Sequence, residues 1–283
     1  MRSALVTGAS TGIGRATALR LDADDWRVFA GVRRDTDAEA LREAGSDRLT
    51  PVMLDVTDPA QIATAAERIG AALDGAGLDG LVNNAGVAIP SPLEAMPIED
   101  FRRQVEINLT GQVAVTQAFL PLVRGGANGA GRIVFISSIG GRIAFPFTGA
   151  YHAAKFGIEA VGDTFRQELR PWGISVSIVE PGSIDTPIWS RGERAADEVG
   201  KRASPERDAL YGRAIERYRK LMRDTAERGI PPEKVAQAIE HALTASRPRS
   251  RYLVGLDAKV QARAKMVIPA PVWDRIVARM MNL

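Results

Sequence analysis

The chain has 283 residues, 45% of them hydrophobic and 25% charged, a composition with ample apolar material for a large core. Lys and Arg number 37 against 34 Asp and Glu, a formal charge of +3. That excess is too small for a nucleic-acid-binding stripe, and the basic residues from Arg191 to Arg228 alternate with acids as on a solvated helix face. With no cysteine and two distant histidines, His152 and His241, neither disulfides nor thiolate chemistry is available and no metal site is expected.

The N-terminal apolar run, Ser3–Thr7, is too short for a signal peptide and reads as a strand. Further strands are expected at Arg27–Val32, Leu49–Leu54, Gly80–Asn83, Arg132–Ser137 and Ile174–Val179. Several are continuously apolar, the pattern of parallel strands covered on both faces. Helices are expected at Ile13–Asp24, at Pro59–Leu73 behind the cap Thr57-Asp58-Pro59, at Ile98–Val123 and at Gly149–Leu169. In the third of these, Phe101, Val105, Leu109, Val113 and Phe119 recur near helical spacing and predict its buried stripe. The alternation predicts an α/β fold, a single Rossmann-type domain over residues 1–283 with a doubly wound parallel sheet.

After Pro187 the pattern changes. Ser190–Gly229 is polar and helical in pattern, as an insertion would be. Pro231-Pro232-Glu233 starts a helix through Thr244, Arg251–Gly255 is a last short strand, and residues 256–283 form a helical extension. In it, Pro271–Leu283 offers Val272, Trp273, Ile276, Val277 and Met280 for packing on the body, on a second subunit or on a membrane surface. No apolar run reaches the roughly 18 residues of a spanning helix, so the expected compartment is the cytoplasm.

Thr7-Gly8-Ala9-Ser10-Thr11-Gly12-Ile13-Gly14 lies between the first strand and the first helix. Glycines there let the backbone turn and approach a pyrophosphate, whose charge meets the helix N-terminus. A tight strand-to-helix turn is the plainer alternative. Where an NAD site usually carries an acid, at the end of the second strand, this chain has Arg33-Arg34. Guanidinium groups suit a 2′-phosphate, which favours NADP(H) and leaves NAD(H) possible. They could equally be solvated, and Asp35 and Asp37 follow at once. Asp55-Val56 could meet an adenine amino group or cap the next helix.

Tyr151 and Lys155, four residues apart, share a helix face. An ammonium beside a phenol lowers a pKa that starts near 10, so that Tyr151 could exchange a proton near neutral pH. Ser138 ends the fifth strand, on the edge where open sheets bind ligands, and could orient a substrate oxygen.

Together with Asn83-Asn84-Ala85-Gly86, Asn108 and Pro181-Gly182-Ser183-Ile184-Asp185-Thr186, these pieces resemble the short-chain dehydrogenases/reductases over nearly the whole chain. The resemblance implies catalysis by Asn108, Ser138, Tyr151 and Lys155. Tyr151 would be the general acid/base, Lys155 would hold the nicotinamide ribose, and Asn108 would anchor a water relay or only bridge two backbone segments. It also implies that Asn84, Ala85 and Gly86 line the cofactor cleft and that Pro181, Gly182, Ile184 and Thr186 adjoin the nicotinamide. Arg27–Arg33 and Arg251–Gly255 resemble the branch of retinol and 17β-hydroxysteroid dehydrogenases. An apolar alcohol or ketone is then the implied substrate, a homodimer or homotetramer the implied assembly, and Ile188–Gly229 occupies the place of the family's substrate lid. A catalytically silent NADP(H)-binding regulator is the competing function.

Overall fold

The computed structural model describes every residue except Ala127, Asn128, Ala130, 202–204 and Asn282. Seven strands, β1 (Ser3–Val6), β2 (Arg27–Val32), β3 (Leu49–Met53), β4 (Gly80–Asn83), β5 (Arg132–Ile136), β6 (Ser175–Pro181) and β7 (Arg251–Val254), make one parallel sheet in the order β3-β2-β1-β4-β5-β6-β7. The order reverses between β1 and β4, and a crevice opens at their carboxyl ends. Alternate side chains feed opposite cores because the strand period is two. Ala4, Val6, Val28, Val82 and Val134 pack on one face, and Leu5, Phe29, Leu81, Ile133 and Phe135 on the other.

The first face is covered by α1 (Gly12–Ala23), α2 (Asp35–Ala44) and α9 (Glu233–Thr244), through Leu21, Leu41, Val235 and Ile239. The second is covered by α3 (Pro59–Leu73), α5 (Gly111–Arg124) and α6 (Gly149–Glu168), through Ile62, Ile69, Phe119 and Ile158. Asp58 caps α3, accepting from the amides of Ala60 and Gln61 at 2.9 and 3.2 Å. The sequence reading did not delimit α2, because only Ala38 and Leu41 in its ten residues are buried.

The expected helix Ile98–Val123 consists of α4 (Ile98–Val105), a π-helical turn (Glu106–Thr110) and α5. Its predicted apolar stripe holds only in part. Phe119 is fully buried, but Phe101, Val105, Leu109 and Val113 are only partly buried, and beside Ile107, Val115 and Phe119 the covered side carries a polar row, Gln104, Asn108, Gln112 and Thr116. Tertiary hydrogen bonding, described below, overrides the apolar periodicity.

The segment expected as a lid consists of α7 (Ile188–Lys201) and α8 (Pro205–Glu227), with 202–204 outside the described residues. Arg219 meets Asp197 at 2.6 Å and Arg223 meets Glu193 at 3.1 Å, tying α8 to α7. The extension is α10 (Leu256–Val267) and α11 (Ala270–Met281). Trp273, Val277 and Met281 of α11 join Ala214 and Tyr218 of α8, with Ile143 and Phe147, in a third core over the crevice. The apolar residues of α11 therefore divide: Val272 and Ile276 stay exposed, against the expectation of one packed side. Among the described residues no helix is long and apolar enough to cross a membrane.

At Gly111, where the π turn passes into α5, an added Cβ would stand 2.5 Å from the Val56 carbonyl oxygen. Gly→Ala inside a helix is ordinarily worth about 0.5–1 kcal/mol of stability. Here Gly111→Ala should instead lower the urea midpoint, because the obstacle is backbone and cannot swing aside.

Candidate active site

A cleft of about 1900 Å³ runs from the Thr7–Gly14 loop past the ends of β4, β5 and β6 to the third core. Gly8 (φ +63°) and Gly12 (φ +54°) adopt left-handed backbone. A Cβ on Gly8 would lie 2.8 Å from Ala85 Cα, and one on Gly14 would lie 2.3 Å from the Gly8 carbonyl oxygen. Thr7 and Asn84 hold the loop from behind. The Thr7 hydroxyl accepts from the amides of Asn84 (2.9 Å) and Ala85 (3.1 Å), and Asn84 Nδ2 donates to the carbonyls of Thr7 and Gly8. Thr11 makes no side-chain cap and the first turn of α1 has no acid. The α1 amides are thus uncapped at the cleft, and a dinucleotide pyrophosphate suits them.

The chain after β4 is held by the polar face found on α4–α5. Gln104 accepts from the Ile89 amide (2.8 Å) and donates to its carbonyl (3.2 Å), while Asn108 makes the same pair with Val87, both at 2.8 Å. Gln112 Nε2 donates to the Ala85 carbonyl at 3.1 Å, and Asn83 Nδ2 donates to the Thr116 hydroxyl at 2.9 Å. Helix positions four apart thus engage chain positions two apart. The pitches agree, at about 6 Å for four helical residues and about 6.6 Å for two extended ones. Asn108 is the only rung the sequence reading named. Gln104, Gln112 and Thr116 were missed, although their spacing of four was visible. Asn108 does bridge backbone, and its Oδ1 also lies 3.1 Å from where a Gly86 Cβ would stand, with Lys155 Nζ 3.9 Å from that point.

Arg33, Arg34 and Asp55 line the cleft beyond the carboxyl ends of β2 and β3. Arg34 forks onto Asp37 at 2.7 and 2.9 Å, and that hydrogen bond holds the Asp37 carboxyl below its usual range. Arg33 lies 3.8 Å from Asp55 and is the less engaged guanidinium. Arg191 of α7, not anticipated, also lines this end. Asp55 does not cap α3; it accepts from the Thr57 amide and hydroxyl at 3.0 and 2.8 Å, and Val56 packs on Gly111.

On the opposite wall, Ser138 caps the turn after β5, accepting from the Gly140 amide at 3.0 Å, and its hydroxyl is hydrogen-bonded to the Tyr151 phenol. Lys155 is buried, donates to the Ile136 carbonyl at 2.8 Å and has Nζ 5.7 Å from the Tyr151 ring centre. The expected electrostatics need correction. Burial pushes the Tyr151 phenol above its ordinary value, and the Ser138 bond opposes this only in part. Burial also pushes the Lys155 ammonium down to about 8, against the Glu159 charge. In the protein alone desolvation outweighs the ammonium's pull on the phenol.

His152, next to Tyr151, has a structural task. Nε2 accepts from the Phe145 amide at 3.0 Å, which places the proton on Nδ1, facing the Gly140 carbonyl at 2.8 Å. It fixes the loop bearing Phe145 and Phe147. Behind Lys155, Glu159 and the fully buried Glu180 share Arg251 at 3.1 and 3.2 Å, and Arg142 reaches Glu180 at 2.6 Å. Pro181, Gly182, Ile184 and Thr186 line the cleft beside the glycine loop, Thr186 packing on Gly12. Asp257, also missed, secures them: it accepts from the Ser183 amide at 2.7 Å and fills the space where a Gly182 Cβ would stand.

The site thus has the layout of a dinucleotide-dependent oxidoreductase. Residues 2–197 match the family described as short chain dehydrogenase. The chain is 39% identical over 278 residues to retinol dehydrogenase 5 of Mus musculus, covering 96% of this chain and 86% of that one. It is 38% identical over 279 residues to 17-beta-hydroxysteroid dehydrogenase type 6 of Bos taurus (97% and 87%). It is 34% identical over 278 residues to NADPH-dependent 3-dehydrocapnine reductase of Ornithobacterium rhinotracheale (98% and 96%). Two solved short-chain dehydrogenases superpose on it. One, from Streptomyces avermitilis, has TM-score 0.78 and 30% identity, covering 99% of this chain and 95% of that one. The other, from Burkholderia cenocepacia in complex with NADP, has TM-score 0.72 and 27% identity, covering 99% of each. The chain belongs to the short-chain dehydrogenase/reductase family, enzymes acting on CH–OH groups with NAD(P).

The buried Lys155 generates a stability prediction. A base whose folded pKa (about 8) lies below its unfolded value near 10.4 destabilises the fold fully below the lower value. The penalty fades as pH rises through the interval, because the unfolded chain binds the extra proton there. Lys155→Met should therefore raise stability by about 2 kcal/mol at pH 7, after subtracting roughly 1 kcal/mol for the lost bond to Ile136. The gain should shrink towards pH 11 in urea titrations, while turnover is lost at every pH.

Proposed function

We propose that this chain is an NADP(H)-dependent oxidoreductase that interconverts an alcohol and a ketone or aldehyde on a large apolar substrate of steroid, retinoid or lipid kind. The observation that carries the reading is the convergence of Ser138, Tyr151 and Lys155 on the same cleft into which the uncapped N-terminus of α1 opens. Beyond them the cleft is walled by Ile143, Phe145, Phe147, Trp273, Val277 and Met280, which suits a substrate with much apolar surface. The names of the retinol and hydroxysteroid dehydrogenase relatives support the same substrate class.

The cofactor, when bound, supplies or accepts the hydride. Gly8, Ser10, Thr11, Gly12, Ile13 and Gly14 would hold its pyrophosphate, Asp55 and Val56 its adenine, and Asn84, Ala85 and Gly86 the floor beneath it. Pro181, Gly182, Ile184 and Thr186 would border the nicotinamide, and Lys155 its ribose. Ser138 orients the substrate oxygen by hydrogen bonding, and Tyr151 gives a proton to that oxygen in reduction or takes one in oxidation. A phenol with a raised pKa keeps its proton and is suited to donate it. Oxidation needs Lys155 charged beside it, and Asn108 lies near enough to Lys155 for a water-mediated relay. Arg33 would hold the 2′-phosphate, aided by Arg34 only after it leaves Asp37; the NADPH-dependent relative supports this preference. The lid of α7 and α8, a cytoplasmic location and assembly as a homodimer or homotetramer belong to the same proposal.

Tyr151→Phe should lower kcat by about 10²–10⁴-fold on a panel of apolar ketones with NADPH, the usual worth of a positioned proton donor. Unchanged turnover would exclude the mechanism, and cofactor binding with no turnover on any substrate would favour the silent regulator. Arg33→Ala should weaken NADPH binding by about tenfold or more, the worth of a charged hydrogen bond, and leave NADH binding nearly unchanged in fluorescence titrations. Equal loss for both would remove the 2′-phosphate role.

A further inference from the structure

The exposed sides of α10 and α11 repeat one pattern. Leu256, Val260, Arg263 and Val267 on α10, and Val272, Ile276, Arg279 and Leu283 along and just beyond α11, each fall at i, i+4, i+7 and i+11. That spacing is one helix face. The inner faces are already used, by Ala258 and Ala262 on α10 and by Trp273, Val277 and Met281 on α11. The outer residues are left to solvent: Leu256 is 77% exposed, Val260 57%, Val267 79% and the neighbouring Met266 80%. Exposed apolar residues aligned in this way on two successive helices point to an interaction site.

Charge identifies the occupant. Residues 256–283 hold Lys259, Arg263, Lys265, Arg275 and Arg279 against Asp257 and Asp274, a net +3 equal to the formal charge of the whole chain. Asp257 is turned inward onto the Ser183 amide. Lys259, Arg263, Arg275 and Arg279 are exposed beside the apolar stripes. A second copy meeting this face across a two-fold axis would oppose like charge to like charge. An anionic lipid surface complements both the apolar stripes and their cationic flanks. Leu256 and Ile276 belong to the exposed stripes and also line the cleft, so both stripes border it.

We propose that α10 and α11 form a docking face for anionic lipid membranes, holding the cleft they border at the surface from which an apolar substrate enters. Docking itself is independent of turnover; only entry of the substrate rests on the apolar-substrate reading above.

The test sediments the full chain with vesicles of phosphatidylcholine alone and of phosphatidylcholine mixed with phosphatidylglycerol, with no substrate present. The expected result is binding to the mixed vesicles that weakens as salt rises, and little binding to phosphatidylcholine. Val260→Asp combined with Val267→Asp, two exposed positions outside the cleft, should weaken it by at least about tenfold. The same variant should keep its turnover of a short water-soluble ketone and lose turnover of a ketone presented in mixed vesicles. Wild-type protein that stays in the supernatant, or equal sedimentation of wild type and variant, overturns the proposal. So does a variant that changes only the oligomeric state in light scattering, since the face would then belong to a second copy. If the soluble ketone is not turned over but vesicle binding behaves as expected, the functional reading fails and the docking face stands.

Discussion

The constraint on which the site depends is the match in pitch between a helix and an extended strand. Gln104, Asn108, Gln112 and Thr116 rise along α4–α5 at the rate at which Ile89, Val87, Ala85 and Asn83 recede beyond β4. Beyond Asn83, the last residue of β4, the chain to Ile89 has left the sheet's hydrogen-bond ladder, and its amides and carbonyls need partners. Side-chain amides from one helix provide them in register. This fixes the floor of the cleft, and through Asn84 and Ala85 it also fixes the glycine loop. A π-helical turn lies at the middle rung, where Asn108 comes near both Gly86 and Lys155.

The opposite wall is governed by desolvation. Tyr151, Lys155 and Glu159 follow one another at single-turn intervals along α6, and burial shifts each away from its charged form. Glu159 is further opposed by Glu180, while Arg251 pulls the other way. The cost of burying these carboxylates is offset by guanidinium groups from β7 and from the turn after β5. The last strand of the sheet thus contributes to the electrostatic setting of a lysine on a helix nearly a hundred residues earlier. His152 adds a second fixed point, holding as a neutral ring the loop that carries Phe145 and Phe147.

The third core divides the C-terminal helices into two roles. Their inner faces join the third core, where Trp273 and Val277 line the cleft, and their outer faces carry apolar and cationic residues that the rest of the molecule leaves uncovered. A helix with apolar residues on two sides cannot bury both against one body. The sequence pattern of Pro271–Leu283, read as one side, concealed that division.

Most of the sheet and its flanking helices was legible in the sequence because strand and helix periods, glycines at a turn and Tyr-x-x-x-Lys spacing are relations between near neighbours in the chain. Those relations determined the doubly wound fold, the glycine loop, the cap at Asp58 and the pairing of Tyr151 with Lys155 on one face. The tertiary structure decided what depends on residues distant in sequence. It set the polar row Gln104, Asn108, Gln112 and Thr116 beside Phe119 on the buried side of α4–α5, joined Arg251 to Glu159 and Glu180, placed Asp257 behind Gly182, and turned the pKa of Tyr151 upward. A hydrogen-bond partner and a local dielectric are properties of the space a side chain reaches after folding, and no local pattern in the chain encodes them.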